Sequence, residues 1–227
     1  LNASDLVFII CNPIFIQHLK KVISPPIGLH LHNDYINIDT TNSNSRLIGS
    51  YDFVVCVSDF ITSRVQNALP HVSSVKTIYN GVNLEKYRIK NEQAIESLRL
   101  RYNLDKNDKV IIYTGRLVAS KGVKTLIEVV IQLRNKYNVK LIIVGASGFK
   151  GSNKTNFISE IESLTCQYLD SILFTGFIDN ETIQNIYHLA DFCVLPSLVT
   201  EAFPLTTLEA MAAGLPVIVS DAGGMPE

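Results

Sequence analysis

The strongest constraint on the fold is a series of five short apolar runs, each separated from the next by a helix-length segment. The runs are continuous rather than alternating, which is typical of strands buried on both faces in a parallel sheet. Five strands joined by four crossover helices predict a doubly wound α/β domain. The predicted strands cover residues 110–114, 139–144, 172–175, 192–195 and 216–220.

A shorter series of the same kind precedes this one. Its predicted strands cover residues 6–10, 27–31, 53–57 and 75–79. A helix is predicted over residues 13–23, and another begins after Ser58, a favourable N-cap, and stops before Pro70. The polar residues 37–45 predict a loop, and a polar helix over residues 92–102 joins the two series.

Composition excludes several classes of protein. The chain has 227 residues, of which 47% are hydrophobic and 18% charged, as in globular rather than disordered proteins. Its formal net charge of −1 gives no basic field for nucleic acid. No apolar run approaches the ~18 residues of a membrane-spanning helix, and no signal peptide is evident. Because the chain begins at Leu1 and stops at Glu227 just after a strand and a turn, we expect a portion of a longer protein.

The four cysteines are far apart and form no C-x-x-C pair. Cys56 and Cys193 lie within apolar runs, so we expect reduced, buried thiols in a cytoplasmic protein and no structural zinc.

Ligands of doubly wound sheets bind outside the carboxyl ends of the strands. Glycine, small and charged residues gather at those ends in this sequence, at 115–116, 145–148, 176–177, 196–197 and 220–224. We therefore expect the ligand site at that edge, with Gly145 and Phe177 in it.

Arg116 and Lys121 lie five residues apart, between a strand end and a helix start. Two cations at a helix N-terminus are unfavourable to the helix dipole unless an anion lies between them, and Arg and Lys both bind phosphate. Two solvated surface charges are the alternative. The sequence has no G-x-G-x-x-G, P-loop or G-x-S-x-G motif, and no Asp-x-Asp pair for a divalent ion. A phosphate would then be neutralised by Arg116, Lys121 and helix N-termini, without a metal.

The segment from Glu201 to Glu209 places two carboxylates around a helix start. Pro204 suits the first helical position, so this segment is either simply a helix start or a site where the free N–H groups of Leu205 and Thr206 hold an anion. Its nearness to Glu201 and to residues 223–224 favours the second. Glu209 follows in an otherwise apolar or small helix, where it either binds sugar hydroxyls or is exposed. Glu201 either favours the helix dipole or faces a sugar.

His30 and His32 are predicted to point to the same side of a strand end. Two histidines suggest a metal, but no third ligand is evident. The alternative, which we prefer, is that His32 faces a cleft at the strand terminus.

These motifs together resemble a known family. Glu201-x7-Glu209, Gly115-Arg116-Leu117 with Lys121-Gly122, residues 79–82 (Tyr-Asn-Gly-Val) and residues 223–227 (Gly-Gly-Met-Pro-Glu) are similar to the retaining nucleotide-sugar glycosyltransferases of the glycogen-synthase-like class. This class is glycosyltransferase family 4, within the glycosyl transferases group 1. The resemblance implies the GT-B fold: two Rossmann-like doubly wound domains facing a cleft, both incomplete in this chain.

The resemblance assigns residues 1–87 to the acceptor-side domain, 88–108 to a linker and helix, and 109–227 to the donor-binding domain. It implies that Arg116 and Lys121 bind the donor diphosphate, that Glu209 binds the ribose, and that Glu201 and His32 face the transferred sugar. Leu205 and Thr206 would offer backbone amides. Pro204 departs from the family, which most often has glycine there, and so removes one backbone donor.

The function implied is metal-independent transfer of a sugar to an acceptor hydroxyl with retention, in polysaccharide or glycoconjugate biosynthesis. Apart from the nucleotide-sugar substrate no cofactor is expected. The expected partner is a glycan or lipid-linked acceptor, in the cytoplasm or peripherally at the inner face of the membrane; the oligomeric state is left open. A nucleotide-sugar 2-epimerase of the same fold and a non-catalytic sugar-nucleotide binding module are the alternatives.

Overall fold

The structure, a computed structural model, describes residues 5–35, 43–72, 74–146 and 155–227. Gly148, which we expected at the ligand edge, and most of the polar stretch 37–45 lie outside these residues. The described residues form nine strands in two parallel sheets. The strands are β1 (Val7–Ile10), β2 (Ile27–Leu31), β3 (Phe53–Cys56), β4 (Val75–Thr77), β5 (Lys109–Thr114), β6 (Val139–Val144), β7 (Ile172–Gly176), β8 (Phe192–Leu195) and β9 (Val217–Val219).

The two sheets differ in strand order. The first runs β1-β2-β3-β4, and the second runs β7-β6-β5-β8-β9. In the second sheet the chain moves outward from β5 to β7 and then returns to add β8 beside β5. Such a reversal creates a crevice at the carboxyl ends of the strands. The predicted α/β class with parallel sheets is confirmed, and each strand lies where an apolar run predicted it.

The described residues divide into two compact units. The first unit holds the described part of Leu1–Asn80 together with Thr200–Pro204 and Ala222–Glu227. The second unit comprises Gly81–Val199, where described, and Leu205–Asp221. Apolar strand residues fill the interior of each: Leu29, Val54 and Cys56 in the first are completely buried, as are Leu141 and Ile142 in the second. Burial of each such side chain stabilises the fold by roughly 1.5–3 kcal/mol.

Several predicted helices are shorter in the structure. The helices are α1 (Ile16–Leu19), α2 (Ser43–Ile48), α3 (Asp59–Ala68), α4 (Leu84–Arg88), α5 (Glu92–Arg101), α6 (Val123–Leu133), α7 (Asn156–Thr165), α8 (Ile183–Tyr187) and α9 (Leu205–Ala212). The helix predicted over residues 13–23 is a 3-10 turn, Pro13–Phe15, followed by the single turn of α1. It ends early because the chain must turn toward Pro25 and Pro26 before β2. Helix α2 was not predicted, since its serines and asparagine suggest a loop.

Helix α3 begins as the sequence predicted. The Ser58 side chain accepts a hydrogen bond from the Ile61 N–H at 3.3 Å. The Glu227 carboxylate adds a second cap within the same unit, accepting from the N–H groups of Asp59 and Phe60 at 2.7 Å each. These contacts satisfy three of the amides that a helix start leaves unpaired, and a carboxylate there also favours the helix dipole.

The expectation of buried thiols holds for two of the four cysteines. Cys56 in β3 and Cys193 in β8 are buried. Cys11 is half-buried and Cys166 is exposed just after α7, so the expectation was wrong for these two. Cys11 follows the end of β1 and Cys166 follows the end of α7, so neither lies inside a buried strand as the other pair does.

In each sheet, one aspartate forms hydrogen bonds that join two neighbouring strands near their amino ends. In the first sheet the Ile27 N–H donates to Asp52 Oδ2 at 2.7 Å, and the Asp52 N–H donates to the Ile27 carbonyl at 3.0 Å. In the second sheet Asp191 and Val110 repeat both contacts, each at 2.8 Å. The aspartate therefore closes the ladder at the amino end of each strand pair.

We predict that Asp191→Ala lowers the free energy of unfolding by about 1–2 kcal/mol, because it removes a charge-assisted hydrogen bond. Asp170→Ala is the matched control: Asp170 pairs with Arg134 at 3.1 Å at an exposed position and should change stability by less than about 0.5 kcal/mol. Urea unfolding measures both. Equal effects in the two variants would contradict the assignment.

Candidate functional site

A cavity of about 390 Å³ opens at the carboxyl edge of the second sheet, within the second unit. Its size falls in the range of small-molecule sites, and its position is where doubly wound sheets bind ligands. The lining consists of residues from the ends of β5, β6 and β7 and from α8 and α9: Thr114, Gly115, Arg116, Val144, Gly145, Ala146, Phe177, Ile178, Ile183, Thr206 and Glu209.

Two glycines let the ends of β5 and β6 approach each other at the cavity wall. Gly145 has φ 148°, and a Cβ there would lie 1.9 Å from the carbonyl oxygen of Gly115. The Gly115 N–H donates to the Val144 carbonyl at 3.0 Å, which extends the ladder past the strand ends. A side chain at position 145 would therefore separate the strands and close the cavity.

Arg116 follows directly and is exposed at the cavity rim. Its backbone carbonyl accepts a hydrogen bond from the buried Tyr113 hydroxyl at 3.0 Å. The backbone of Arg116 is thus anchored while its guanidinium stays at the surface, an arrangement suited to binding an anion from solution.

Lys121 ends a 3-10 turn, Ala119–Lys121, just before α6. The next residue, Gly122, has φ 70°, and a Cβ there would lie 1.9 Å from the Pro196 carbonyl oxygen. The Leu198 N–H donates to the Ser120 carbonyl at 2.9 Å. These contacts hold the Lys121 segment against the residues that follow β8. Lys121 is not among the described residues that line the cavity.

Glu209 lies in the second turn of α9, half-buried and facing the cavity lining. Its Oε2 accepts a hydrogen bond from the Tyr187 hydroxyl at 2.9 Å. Tyr187 is wholly buried, and burial together with the Glu209 charge raises its pKa well above the usual range. The same causes raise the pKa of Cys193 to about 12. Glu209 is therefore neither a freely exposed glutamate nor a carboxylate without an internal partner.

Helix α9 starts at Leu205, one residue after the predicted Pro204. Thr206 lines the cavity, while Leu205 is exposed and lies outside the described lining. Of the predicted site residues, five line one cavity: Arg116, Gly145, Phe177, Thr206 and Glu209.

Glu201 and His32 both belong to the first unit. Glu201 forms an isolated parallel bridge with Gly223, and its carbonyl accepts from the Gly224 N–H at 2.7 Å. The Gly223-Gly224 turn therefore fixes the backbone that carries Glu201. Nearby in sequence, Ala202 packs against the hydrophobic core of that unit.

His32 follows the end of β2 and contacts His30, as alternation along the strand predicted. His32 Nε2 lies 3.2 Å from His30 Nδ1, and the ring centroids are 4.1 Å apart. Burial lowers the pKa of both histidines, and the His32 charge lowers that of His30 further. Each ring therefore favours its neutral form, in which one ring nitrogen donates and the other accepts.

Sequence reasoning did not find Tyr187, which hydrogen-bonds Glu209, or Thr114, which hydrogen-bonds Tyr187. The available signal was a tyrosine next to Ile186, because a tyrosine hydroxyl that is buried usually has a polar partner. Among the described residues, no group of three His, Cys, Asp or Glu side chains is placed to hold a metal ion. In that same part of the chain, no helix has the length and apolar character needed to span a membrane.

The strand order of the second sheet and the cavity at its carboxyl edge define the doubly wound, Rossmann-like class of α/β protein. Residues 94–227 match the model of the family described as Glycosyl transferases group 1, and the chain belongs to that family. It is 30% identical over 232 residues to spore coat protein SA of Bacillus subtilis, covering 98% of this chain and 61% of that protein.

Two further proteins are similar to nearly the whole chain. The lipopolysaccharide 1,2-N-acetylglucosaminetransferase of Salmonella typhimurium is 27% identical over 230 residues, which cover all of this chain and 57% of that one. A crystal structure of Anabaena HepE in complex with UDP-glucose has a TM-score of 0.76 at 23% identity, over 97% of this chain and 60% of that one. The chain thus spans about three fifths of the length of these proteins, and its fold is of the GT-B type.

We predict that Gly145→Ala destabilises the second unit by about 2 kcal/mol or more, because the new methyl group meets a backbone oxygen that cannot move freely. Gly81→Ala is the control, since a Cβ at Gly81 would have no atom within 4 Å. Thermal and urea unfolding measure both. A Gly145 variant as stable as the Gly81 variant would contradict the close approach.

We predict that acidification from pH 7 to pH 5 lowers the melting temperature through the His30–His32 pair. Both pKa values are depressed in the folded protein, so the unfolded chain binds more protons as the pH falls. The stabilisation is present above the unfolded pKa of about 6.5 and is lost as the pH falls through the lower folded values.

His30→Gln should therefore reduce the loss of stability between pH 7 and pH 5. His18→Gln, at an exposed position on α1, is the matched control and should leave the pH dependence as in the unaltered protein. Identical pH profiles for all three proteins would show that the histidine contact does not control stability.

Proposed function

We propose that this chain carries the donor site of a retaining, metal-independent glycosyltransferase of family 4. This enzyme would move a sugar from a nucleotide-diphosphate sugar to an acceptor hydroxyl. The observation that carries the proposal is the cavity of the second unit, which brings Arg116, Thr206 and Glu209 into one lining at the carboxyl edge of the sheet. Membership of the Glycosyl transferases group 1 family supports the reaction class.

In this proposal the diphosphate binds between cationic side chains and a helix start. Arg116 offers a planar fork of donors at the cavity rim, and Lys121 a point charge from the segment held against the end of β8. The first amides of α9, at Leu205 and Thr206, add partial positive charge. Glu209 binds the ribose hydroxyls, and Gly145 and Phe177 form the wall for the rest of the nucleotide.

The chemistry proposed is departure of the nucleoside diphosphate with development of an oxocarbenium-like sugar, followed by attack of the acceptor on the same face. Arg116 and Lys121 stabilise the charge that grows on the leaving diphosphate, from backbone segments that are held in place before reaction. Glu201 and His32 contact the transferred sugar. The fixed backbone of Glu201 and the neutral form favoured at His32 suit hydrogen bonding to sugar hydroxyls.

The nucleotide and acceptor classes follow from the relatives. HepE was crystallised with UDP-glucose, and the Salmonella relative is named for lipopolysaccharide, so we propose a UDP-sugar as the first donor to test. The acceptor is a glycan or a lipid-linked glycan, met in the cytoplasm or at the inner face of the membrane, in polysaccharide or glycoconjugate biosynthesis.

We predict that Arg116→Ala and Lys121→Ala each weaken binding of a nucleoside diphosphate by about 10- to 100-fold, the value of one charge-assisted contact. Titration calorimetry with UDP, GDP and ADP measures the affinity. Arg134→Ala is the matched control, because Arg134 pairs with Asp170 and lies outside the described cavity lining. The proposal fails if no diphosphate binds, or if the Arg134 variant weakens binding as much as the other two.

Product analysis on the intact protein then separates the possible activities. Transfer to an acceptor with an unchanged anomeric configuration supports the proposal. A 2-epimerase would convert the donor without an acceptor, and a binding module would bind the donor and release no sugar. Either result would overturn the transferase assignment while leaving the donor site intact.

A further inference from the structure

The Tyr187 hydroxyl lies at the centre of a buried polar chain in the second unit. Its Oη is 2.9 Å from Glu209 Oε2, 2.9 Å from Thr114 Oγ1 and 3.5 Å from the Thr206 carbonyl oxygen. All three partners line the cavity. Tyr187 is wholly buried and is not among the described residues of the lining. Any effect of Tyr187 on a ligand therefore passes through the residues it contacts.

The direction of the hydrogen bonds follows from the atoms present. A tyrosine hydroxyl donates one hydrogen, and the Glu209 carboxylate and the Thr206 carbonyl can only accept. The bond to the carboxylate is shorter and charge-assisted, so it takes the tyrosine hydrogen. The Thr114 hydroxyl, which is also buried, must then donate to Tyr187. The result is a directed chain from Thr114 through Tyr187 to Glu209, in which each bond strengthens the next.

The surroundings hold this chain in one arrangement. Burial and the Glu209 charge raise the pKa of Tyr187 above its ordinary value, so the hydroxyl keeps its hydrogen at neutral pH. The Tyr87 ring, also buried, packs edge-on against Tyr187 with the centroids 6.0 Å apart. Glu209 is thereby anchored at Oε2 by the Tyr187 hydroxyl, and the Tyr87 side chain interacts with the same carboxylate.

We propose that Tyr187 is a positioning residue for donor recognition: by holding Oε2 of Glu209, it directs Oε1 toward the ribose hydroxyls of the nucleotide. An unanchored glutamate would have to be ordered when the ligand binds, whereas here the order exists beforehand. The inference rests on the proposed function, in which Glu209 binds ribose.

The test compares ribonucleotides with their 2′-deoxy counterparts. A site that hydrogen-bonds a hydroxyl discriminates against a ligand that lacks it, so the unaltered protein should prefer UDP, GDP or ADP over the matching 2′-deoxy diphosphate by about 10-fold or more. Tyr187→Phe keeps the ring and removes the hydroxyl. It should lower this preference by about 3- to 10-fold, and Thr114→Val should lower it less. Calorimetry gives both affinities on the same folded protein, so a general loss of structure cancels from the ratio.

Tyr51→Phe is the matched structural control. Tyr51 is buried in the first unit, and its hydroxyl donates to the Pro13 carbonyl at 3.1 Å. This variant loses a buried hydroxyl of the same kind and should keep the preference for the ribonucleotide. If Tyr187→Phe alone does not fold, Tyr187→Phe combined with Thr114→Val is used, because it leaves no threonine hydroxyl without a partner.

Glu209→Gln separates the inference from the function beneath it. If Glu209→Gln leaves the preference unchanged, Glu209 does not bind ribose and the proposed donor site is wrong in that respect. If Glu209→Gln lowers the preference but the Tyr187 variant matches the Tyr51 control, Glu209 binds ribose unaided and the positioning role is overturned. A lowered preference in both supports the inference.

Discussion

The candidate site depends on how β5 pairs with its two neighbours in the second sheet. Strand β5 pairs with β6 along its whole length, from Lys109 to Thr114, but with β8 only at Ile111 and Ile112. The ladder holds the carboxyl ends of β5 and β6 together, whereas the carboxyl ends of β5 and β8 do not pair with each other. A ligand space results on one edge of a sheet whose central strands, β5 and β6, bury their apolar residues, and the lining residues at the ends of these strands take their positions from that ladder.

The carboxylate at this edge is stabilised by a chain of hydrogen bonds within the protein. A buried carboxylate is costly unless it is hydrogen-bonded, and Glu209 receives its bond from a tyrosine that is itself supplied by Thr114. The Arg116 side chain, in contrast, remains exposed to solvent. Arg116 has its backbone anchored and its charge exposed, so it avoids the cost of desolvation until an anion arrives. A hydrogen-bonded carboxylate and an exposed guanidinium at one edge are chemically suited to a ligand with hydroxyls and negative charge.

The two carboxylates of the Glu201-x7-Glu209 motif have separate structural settings. Glu201 lies in the first unit, where the Gly223-Gly224 turn fixes its backbone, and Glu209 lies in the second, on α9. In the proposed function Glu209 binds the ribose and Glu201 the transferred sugar, two different parts of one donor.

The sequence by itself determined the strands, the parallel class of the sheets and the edge that carries the site. Continuous apolar runs are typical of strands buried on both faces in a parallel sheet, and the carboxyl ends of such parallel strands lie on one edge. Helices were less predictable: the one predicted over residues 13–23 is a 3-10 turn and the single turn of α1, and α2 was missed, because local helix preferences are weak and tertiary packing overrides them.

Only the tertiary structure decided which residues share the cavity. Tyr187 precedes Glu209 by 22 residues and follows Thr114 by 73, and no periodicity relates them. Their contact arises because β8 returns beside β5, a long-range pairing that local sequence patterns do not encode. The same return holds the Lys121 segment against the residues after β8. The sequence therefore predicted Arg116 and Glu209, which share the cavity lining, whereas only the fold showed the buried Tyr187 hydroxyl that hydrogen-bonds Glu209, because long-range strand pairing brings them together.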